Sequence, residues 1–263
     1  MSILTCANLV FAYQQERILD GVSLAINRGD FAVVIGGNGT GKSTLMKLLL
    51  DELQPDEGEI HLFDQPIRSF SDWSRIGYLP QNAIERNHAF PASVEEVVRA
   101  HTYSRRKREK LSSRAIDKIV GEALASVHMA DYRKSMVGEL SGGQQQRVMI
   151  AGIIAADPEL MLLDEPTAGI DFETVTKLYA LLAELKQKRG LTLLLITHDL
   201  IQIGDYANRI FCLEQGNVVE LTPEEFAVEN QHRHTHPAPG HPHGAHRHVM
   251  PSGTHERICC RED

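Results

Sequence analysis

Residues 36–44 read GGNGTGKST, directly after the apolar run FAVVI and directly before LMKLLLDEL. The spacing G-x-x-x-x-G-K-[ST] is met by Gly36, Gly41, Lys42 and Ser43. In the context of a strand that feeds a glycine-rich turn and opens a helix, this pattern has a specific physical use. Without side chains in the way, consecutive backbone N–H groups turn inward around phosphate oxygens. Gly36, Gly37, Asn38, Gly39, Thr40, Gly41, Lys42, Ser43 and Thr44 are therefore expected to cradle the phosphates of a nucleotide. Lys42 supplies a point charge for the β- and γ-phosphates, Ser43 a hydroxyl for Mg²⁺, and the start of the helix a favourable dipole.

A phosphate cradle hydrolyses nothing without an acidic site to hold the metal and activate water. ELMLLDEP at 159–166 supplies one: an apolar run that reads as a buried strand, ending in Asp164 and Glu165. Carboxylates at the C-terminal tip of such a strand lie where an open α/β sheet places its ligand chemistry. Asp164 is expected to hold Mg²⁺, directly or through water, and Glu165 to orient and polarise the attacking water as general base.

Outward from these two motifs the chain alternates in character. VSLAIN (22–27), FAVVIG (31–36) and EIHLF (59–63) are strand-like, interrupted by one helical run at 42–53. Between about 92 and 156 the pattern turns helical, as in SVEEVVRAHTYS and RAIDKIVGEALASVHM, with apolar residues at three- and four-residue spacing. Strand and helix then alternate again through ELMLLD, a helix at about 172–189, LTLLLIT, a short helix, RIFCLEQGNVVEL and a last helix from Pro223. This order predicts an α/β nucleotide-binding core of about residues 1–230, carrying a helical insert at about 92–156. A tail at 231–263, rich in Pro, Gly, His and Arg, is expected to be disordered.

Composition removes other classes. The 263 residues are 42% apolar and 24% charged, as in an ordinary globular chain, and the net charge of −8 argues against nucleic acid as a partner. RRKREK at 105–110 is the local exception and reads as the solvated face of a helix. No run approaches the ~20 apolar residues that span a bilayer. MSILTCANLV lacks the basic start and apolar core of a signal peptide, and the four cysteines form no disulfide framework. A reduced, cytosolic chain is expected.

LSGGQQQR at 140–147 narrows the possibilities. It resembles the signature motif of the ATP-binding cassette (ABC) family, in which Ser141, Gly142, Gly143 and Gln144 at a helix start present donors to a phosphate. Other positions match that family in order. Tyr13 resembles the aromatic that stacks on adenine, and Gln81 in IGYLPQN the glutamine that reaches Mg²⁺ and the attacking water. Asp171 in AGID takes a place at a dimer seam, and His198 in LLLITHD resembles the histidine that contacts the γ-phosphate. The resemblance covers residues 2 to about 228. It implies an α/β fold: a P-loop NTPase core with an antiparallel β subdomain and an inserted α-helical subdomain. It also implies ATP and Mg²⁺ as cofactors and a head-to-tail homodimer. In that dimer each nucleotide lies between one chain's phosphate loop and the other's signature motif.

Three functions compete: the ATPase subunit of a membrane transporter, a cassette ATPase of translation or repair, and an autonomous metal-binding protein carrying a nucleotide domain. Translation members of the family usually carry two cassettes in one chain, and repair members carry long coiled-coil insertions; neither feature is present here. The transporter leads, and it implies integral-membrane permease subunits, an extracytoplasmic metal-binding protein and a peripheral position on the cytoplasmic face of the membrane. HAFPASVEEVV at 88–98 lies where the family docks its permease. FPASVEEVV and PTAGID also resemble the corresponding segments of cassettes for zinc and manganese uptake, so zinc is the expected cargo, with manganese, iron or another substrate as the alternative. The tail holds His232, His234, His236, His241, His243, His246, His248 and His255, then Cys259 and Cys260. It can supply imidazoles to zinc without the fixed spacing of a structural site, and an inert appendage is the competing account.

Overall fold

The computed structural model describes residues 1–81, 83, 91–167, 170–198, 203–222 and 224–227. Two long strands, β1 (Ser2–Tyr13) and β2 (Glu16–Asn27), pair antiparallel, and β2 is longer than the apolar run at 22–27 suggests. β3 (Phe31–Ile35) leads into the phosphate loop and helix α1 (Lys42–Leu49). The helix stops short of the expected residue 53, because Leu50 caps it and Asp51 turns the chain at φ +58°. β4 (Glu57–Leu62) and β5 (Gln65–Pro66) complete a four-stranded antiparallel sheet in the order β2-β1-β4-β5.

β6 (Ile76–Leu79) precedes the helical stretch: α2 (Val94–His101), α3 (Tyr103–Glu109), α4 (Ser113–Ser126) and α5 (Gly142–Ala156). The single helical run SVEEVVRAHTYS divides at Thr102, whose hydroxyl bonds back to the Arg99 carbonyl. β7 (Leu160–Asp164), α6 (Phe172–Arg189), β8 (Thr192–Thr197) and the hairpin of β9 (Arg209–Glu214) and β10 (Asn217–Leu221) follow. The hairpin turns through Gln215 and Gly216, both at positive φ, which suits the twist of an antiparallel pair. Residues 224–227 form a helical turn.

The second sheet runs β10-β9-β3-β8-β7-β6, parallel except for β10 at its edge. Its central strands are apolar on both faces because both faces are covered. Phe31, Val33, Met161, Leu163, Leu193 and Leu195 face one core with α2, α4, α5 and α6. Ala32, Val34, Leu160, Leu162, Leu194 and Ile196 face the other, with α1 and the antiparallel sheet. The fold is the α/β class expected, with an antiparallel β part and an inserted helical part. No helix among the described residues is long and apolar enough to cross a membrane.

RRKREK is a helix face, and a partly tethered one. Arg105 bonds Glu109 and reaches the Ala155 carbonyl at the end of α5, while Arg108 donates to Ser74 at 2.6 Å. A cation at a helix C-terminus is favourably placed.

Candidate active site

Four adjacent parallel strands set the site. β3 delivers Gly36, β8 delivers His198, β7 delivers Asp164 and Glu165, and β6 delivers Gln81, each at or just past the strand's C-terminal end. In register, Ile35 lies beside Thr197 and Asp164 beside Ile196, so the loops leave the sheet at one level. Strand spacing places all four within roughly 15 Å.

An open cleft of about 330 Å³ lies at this end, lined by Ile18, Asn38, Gly39, Gly41, Lys42, Ser43, Thr44, Gln81 and Glu165. Lys42 is buried, and its ammonium donates to the carbonyls of Gly36 at 3.0 Å and Gly37 at 2.7 Å. The loop is thus closed around the cation that is expected to meet phosphate. Two of its glycines are required sterically. A Cβ on Gly36 would lie 2.5 Å from the Leu213 carbonyl oxygen. On Gly41, at φ +101°, it would lie 2.9 Å from both Ile18 and Leu19.

Asp164 ends β7 and is 7% exposed, and its Oδ1 is buried without a hydrogen-bond partner. Burial, and then the charge of Glu165, push its pKa up to about 6 against the opposing pull of Lys42 and Lys47. Glu165 follows at φ +47°, a left-handed conformation that costs a non-glycine residue about 1–2 kcal/mol. Successive strand residues point to opposite faces, and this turn breaks the alternation; Glu165 lines the cleft and Asp164 does not. Its Oε2 lies 2.6 Å from Nδ1 of His198, an exposed residue, and its own N–H bonds the Ile196 carbonyl.

A buried, unpartnered carboxylate oxygen fits a cation. Among the described residues no cluster of three or more His, Cys, Asp or Glu side chains gathers around a point. Mg²⁺ that arrives with nucleotide phosphates takes one or two protein ligands and completes its shell with phosphate and water.

Ser141, Gly142, Gly143 and Gln144 do not line this cleft. They form the start of α5, where the Ser141 hydroxyl accepts from the Gln144 N–H and the Gln144 side chain accepts from the Ser141 N–H. Gln145, to which the sequence assigned no role, is fully buried and donates to the carbonyls of Val137 and Leu140, fixing the approach to the helix. Asp171 caps α6 through the Thr174 N–H at 3.0 Å, and hydrogen bonding from the Thr174 side chain, then from its N–H, holds the Asp171 carboxyl below the usual range. Tyr13 stands exposed at the β1–β2 hairpin, edge-on to Phe11 at 4.9 Å, and does not line the cleft. Ile18, on the returning strand, does. Nothing in its local sequence marks it out, because its place depends on how the hairpin folds over Gly41. Residues 88–90 of the expected docking segment, Ala168 and Gly169 of AGID, Pro223 and all the tail histidines lie outside the described residues.

Comparison with known proteins identifies the family. Residues 19–168 match the sequence profile of the family described as "ABC transporter". The chain is 39% identical over 224 residues, 85% of its length and 87% of the relative's, to the zinc uptake system ATP-binding protein ZurA of Listeria innocua. It is 36% identical to the manganese transport system ATP-binding protein MntB of Bacillus subtilis, covering 85% of this chain and 88% of that one. Among solved structures, cbiO1 from Clostridium perfringens, part of the ABC transporter complex cbiONQ, superposes with a TM-score of 0.78 at 31% identity, over 89% of this chain and 94% of that one. A nucleotide cleft built on four parallel strands, a family profile across more than half the chain and this degree of identity lead to one conclusion: the chain belongs to the ABC transporter family, as an ATPase coupled to transport.

Proposed function

We propose that this chain is the ATP-hydrolysing subunit of a transporter that takes up a divalent metal ion, zinc in preference to manganese or iron. The observation that carries it is the shared cleft of Lys42 and Glu165 in a chain 39% identical to a zinc uptake ATPase. Lys42 exchanges the carbonyls of Gly36 and Gly37 for β- and γ-phosphate oxygens, and the N–H groups of residues 37–44 complete the cradle. Ser43, Asp164 and Gln81 would hold Mg²⁺, which when bound would neutralise charge on the phosphates. Glu165 accepts a proton from the attacking water as its oxygen bonds to the γ-phosphorus and the β–γ bridging bond breaks. His198 holds the Glu165 carboxylate in place and faces the γ-phosphate. Tyr13 closes over the adenine when nucleotide enters.

The separation of Ser141 from the cleft supports a site completed by a second copy, whose Ser141, Gly142, Gly143 and Gln144 cover the γ-phosphate while Asp171 meets the seam. Permease subunits in the membrane, docked near residues 82–100, and an extracytoplasmic metal-binding protein complete the assembly, with this chain on the cytoplasmic face. The tail histidines add a dispersed zinc site. Titrating zinc into the full chain and a chain ending at residue 230 tests that addition, and equal stoichiometry overturns it.

Cellular zinc and manganese, measured after deletion of the gene and its replacement by the parent or Glu165→Gln chain, test the main proposal. Zinc accumulation falls on deletion and returns only with the parent. A fall in manganese alone transfers the assignment to manganese, and no change in either metal overturns metal uptake.

A further inference from the structure

The two glycines that open α5 have different surroundings. A Cβ built on Gly142 meets nothing within 4 Å, whereas one on Gly143 lies 2.6 Å from Cγ2 of Thr174, in the first turn of α6. Thr174 is itself fixed, because its N–H is held by Asp171, the N-cap of that helix. A β-branched side chain in a helix has few rotamers to retreat to, so its methyl acts as a stop. Gly142 therefore faces open space, and Gly143 faces the neighbouring helix.

We infer that Thr174 is a positioning residue for the reaction: its methyl, seated against Gly143, sets the distance between the start of α6 and the start of α5. α6 begins seven residues after Glu165, and α5 carries the donors offered to the second copy. One close contact thus links the segment that follows a chain's own hydrolytic carboxylate to the surface it presents to the other nucleotide. Gly143 is a glycine because of Thr174, whereas no neighbour within the chain requires a glycine at 142. The inference rests on the proposed assignment of the α5 start to the second copy's nucleotide.

Moving the methyl across the contact tests it. ATPase kinetics are measured on the purified full chain as Gly143→Ala, Thr174→Ser, the double variant, Gly142→Ala and Gly142→Ala/Thr174→Ser, at a temperature where circular dichroism shows all of them folded. Gly143→Ala is expected to lower kcat at least tenfold while the KM for ATP, set largely by the chain's own loop, moves less than threefold. Thr174→Ser removes the opposing methyl, so the Gly143→Ala/Thr174→Ser chain recovers kcat to within about threefold of the parent. Thr174→Ser gives Gly142→Ala no such recovery. Full activity of Gly143→Ala, failure of the double variant to recover, or equal rescue of Gly142→Ala each overturns the inference. ATP-dependent dimerisation of the Glu165→Gln chain is read alongside. Rescue without a dimer leaves the α5–α6 contact standing and removes the second-copy assignment; a dimer without rescue does the reverse.

Discussion

Two adjacent carboxylates at the end of β7 have opposite environments, and their chemistry follows from that difference. Glu165 is held by the 2.6 Å contact to His198 and lines the cleft, so Glu165→Gln keeps the shape and a hydrogen bond to the imidazole while losing the proton acceptor. Turnover is expected to fall at least 100-fold with ATP affinity within about threefold of the parent, as measured by phosphate release and nucleotide titration. Near-parental turnover removes Glu165 as the base. Asp164 instead carries a penalty. Its folded pKa of about 6 lies above the ordinary 3.8, so the native state binds the proton more tightly than the unfolded chain does. As pH rises from about 4 to about 6, this group takes stability away from the nucleotide-free protein. Asp164→Asn removes that penalty. It is expected to stabilise the chain at pH 7 by on the order of 2 kcal/mol, about 5 °C in melting temperature, with the gain fading toward pH 4. The same variant loses Mg²⁺-dependent hydrolysis. A chain that is no more stable at pH 7 than its parent shows that the buried charge is solvated by something else.

At the scale of elements, what could be read from the chain depended on whether the cause was local. The phosphate loop was legible because each defining residue acts on its own backbone: Gly36 and Gly41 by lacking a Cβ, Lys42 by reaching back to the loop carbonyls. The ends of α5 and α6 were legible for the same reason, with Ser141 and Asp171 each capping the helix it begins. Features decided by distant packing were not legible. Ile18 enters the cleft only because β2 folds over Gly41, and Gly143 meets Thr174 only because α5 and α6 start side by side. The 42–53 run was too long as a helix because Leu53, partly buried, packs against the core after the helix has ended, so apolar periodicity outlived the hydrogen bonding. Gly41→Ala tests the coupling between loop and hairpin. Its Cβ strikes Ile18 and Leu19 and its φ of +101° is unfavourable for alanine, so ATP affinity should fall at least tenfold and stability by about 2 kcal/mol. Calorimetric nucleotide titration and urea unfolding measure the two effects. Parental values in both would mean that the hairpin yields freely.

At the scale of the molecule, the loops and carboxylates of the nucleotide site come from the parallel sheet, and the antiparallel sheet must stay seated for Ile18 and the hairpin to complete it. One polar cluster secures that seam outside the apolar core. Glu159, just before β7, accepts from Arg75 Nε and Arg28 Nη1, both at 2.5 Å, and the Arg75 guanidinium lies 3.6 Å from the ring centre of Phe63, which stacks on Phe70. The hydrogen bond from Arg75 is the main cause that holds the Glu159 carboxyl below its usual range; burial opposes it and Arg28 assists. A depressed acid contributes stability that is full above its unfolded pKa near 4.5 and is lost as pH falls through the lower folded value. Glu159→Gln should therefore destabilise the chain at pH 7 and converge with the parent in acid. Because the carboxylate is 40% exposed, the loss should be no more than about 1 kcal/mol. Arg75→Ala should cost more, since it removes the ion pair and also uncovers Phe63, and that extra part should persist in acid. Urea unfolding of both variants at pH 7 and pH 4 separates the two contributions. If Arg75→Ala costs no more than Glu159→Gln at either pH, the seam is held by charge alone.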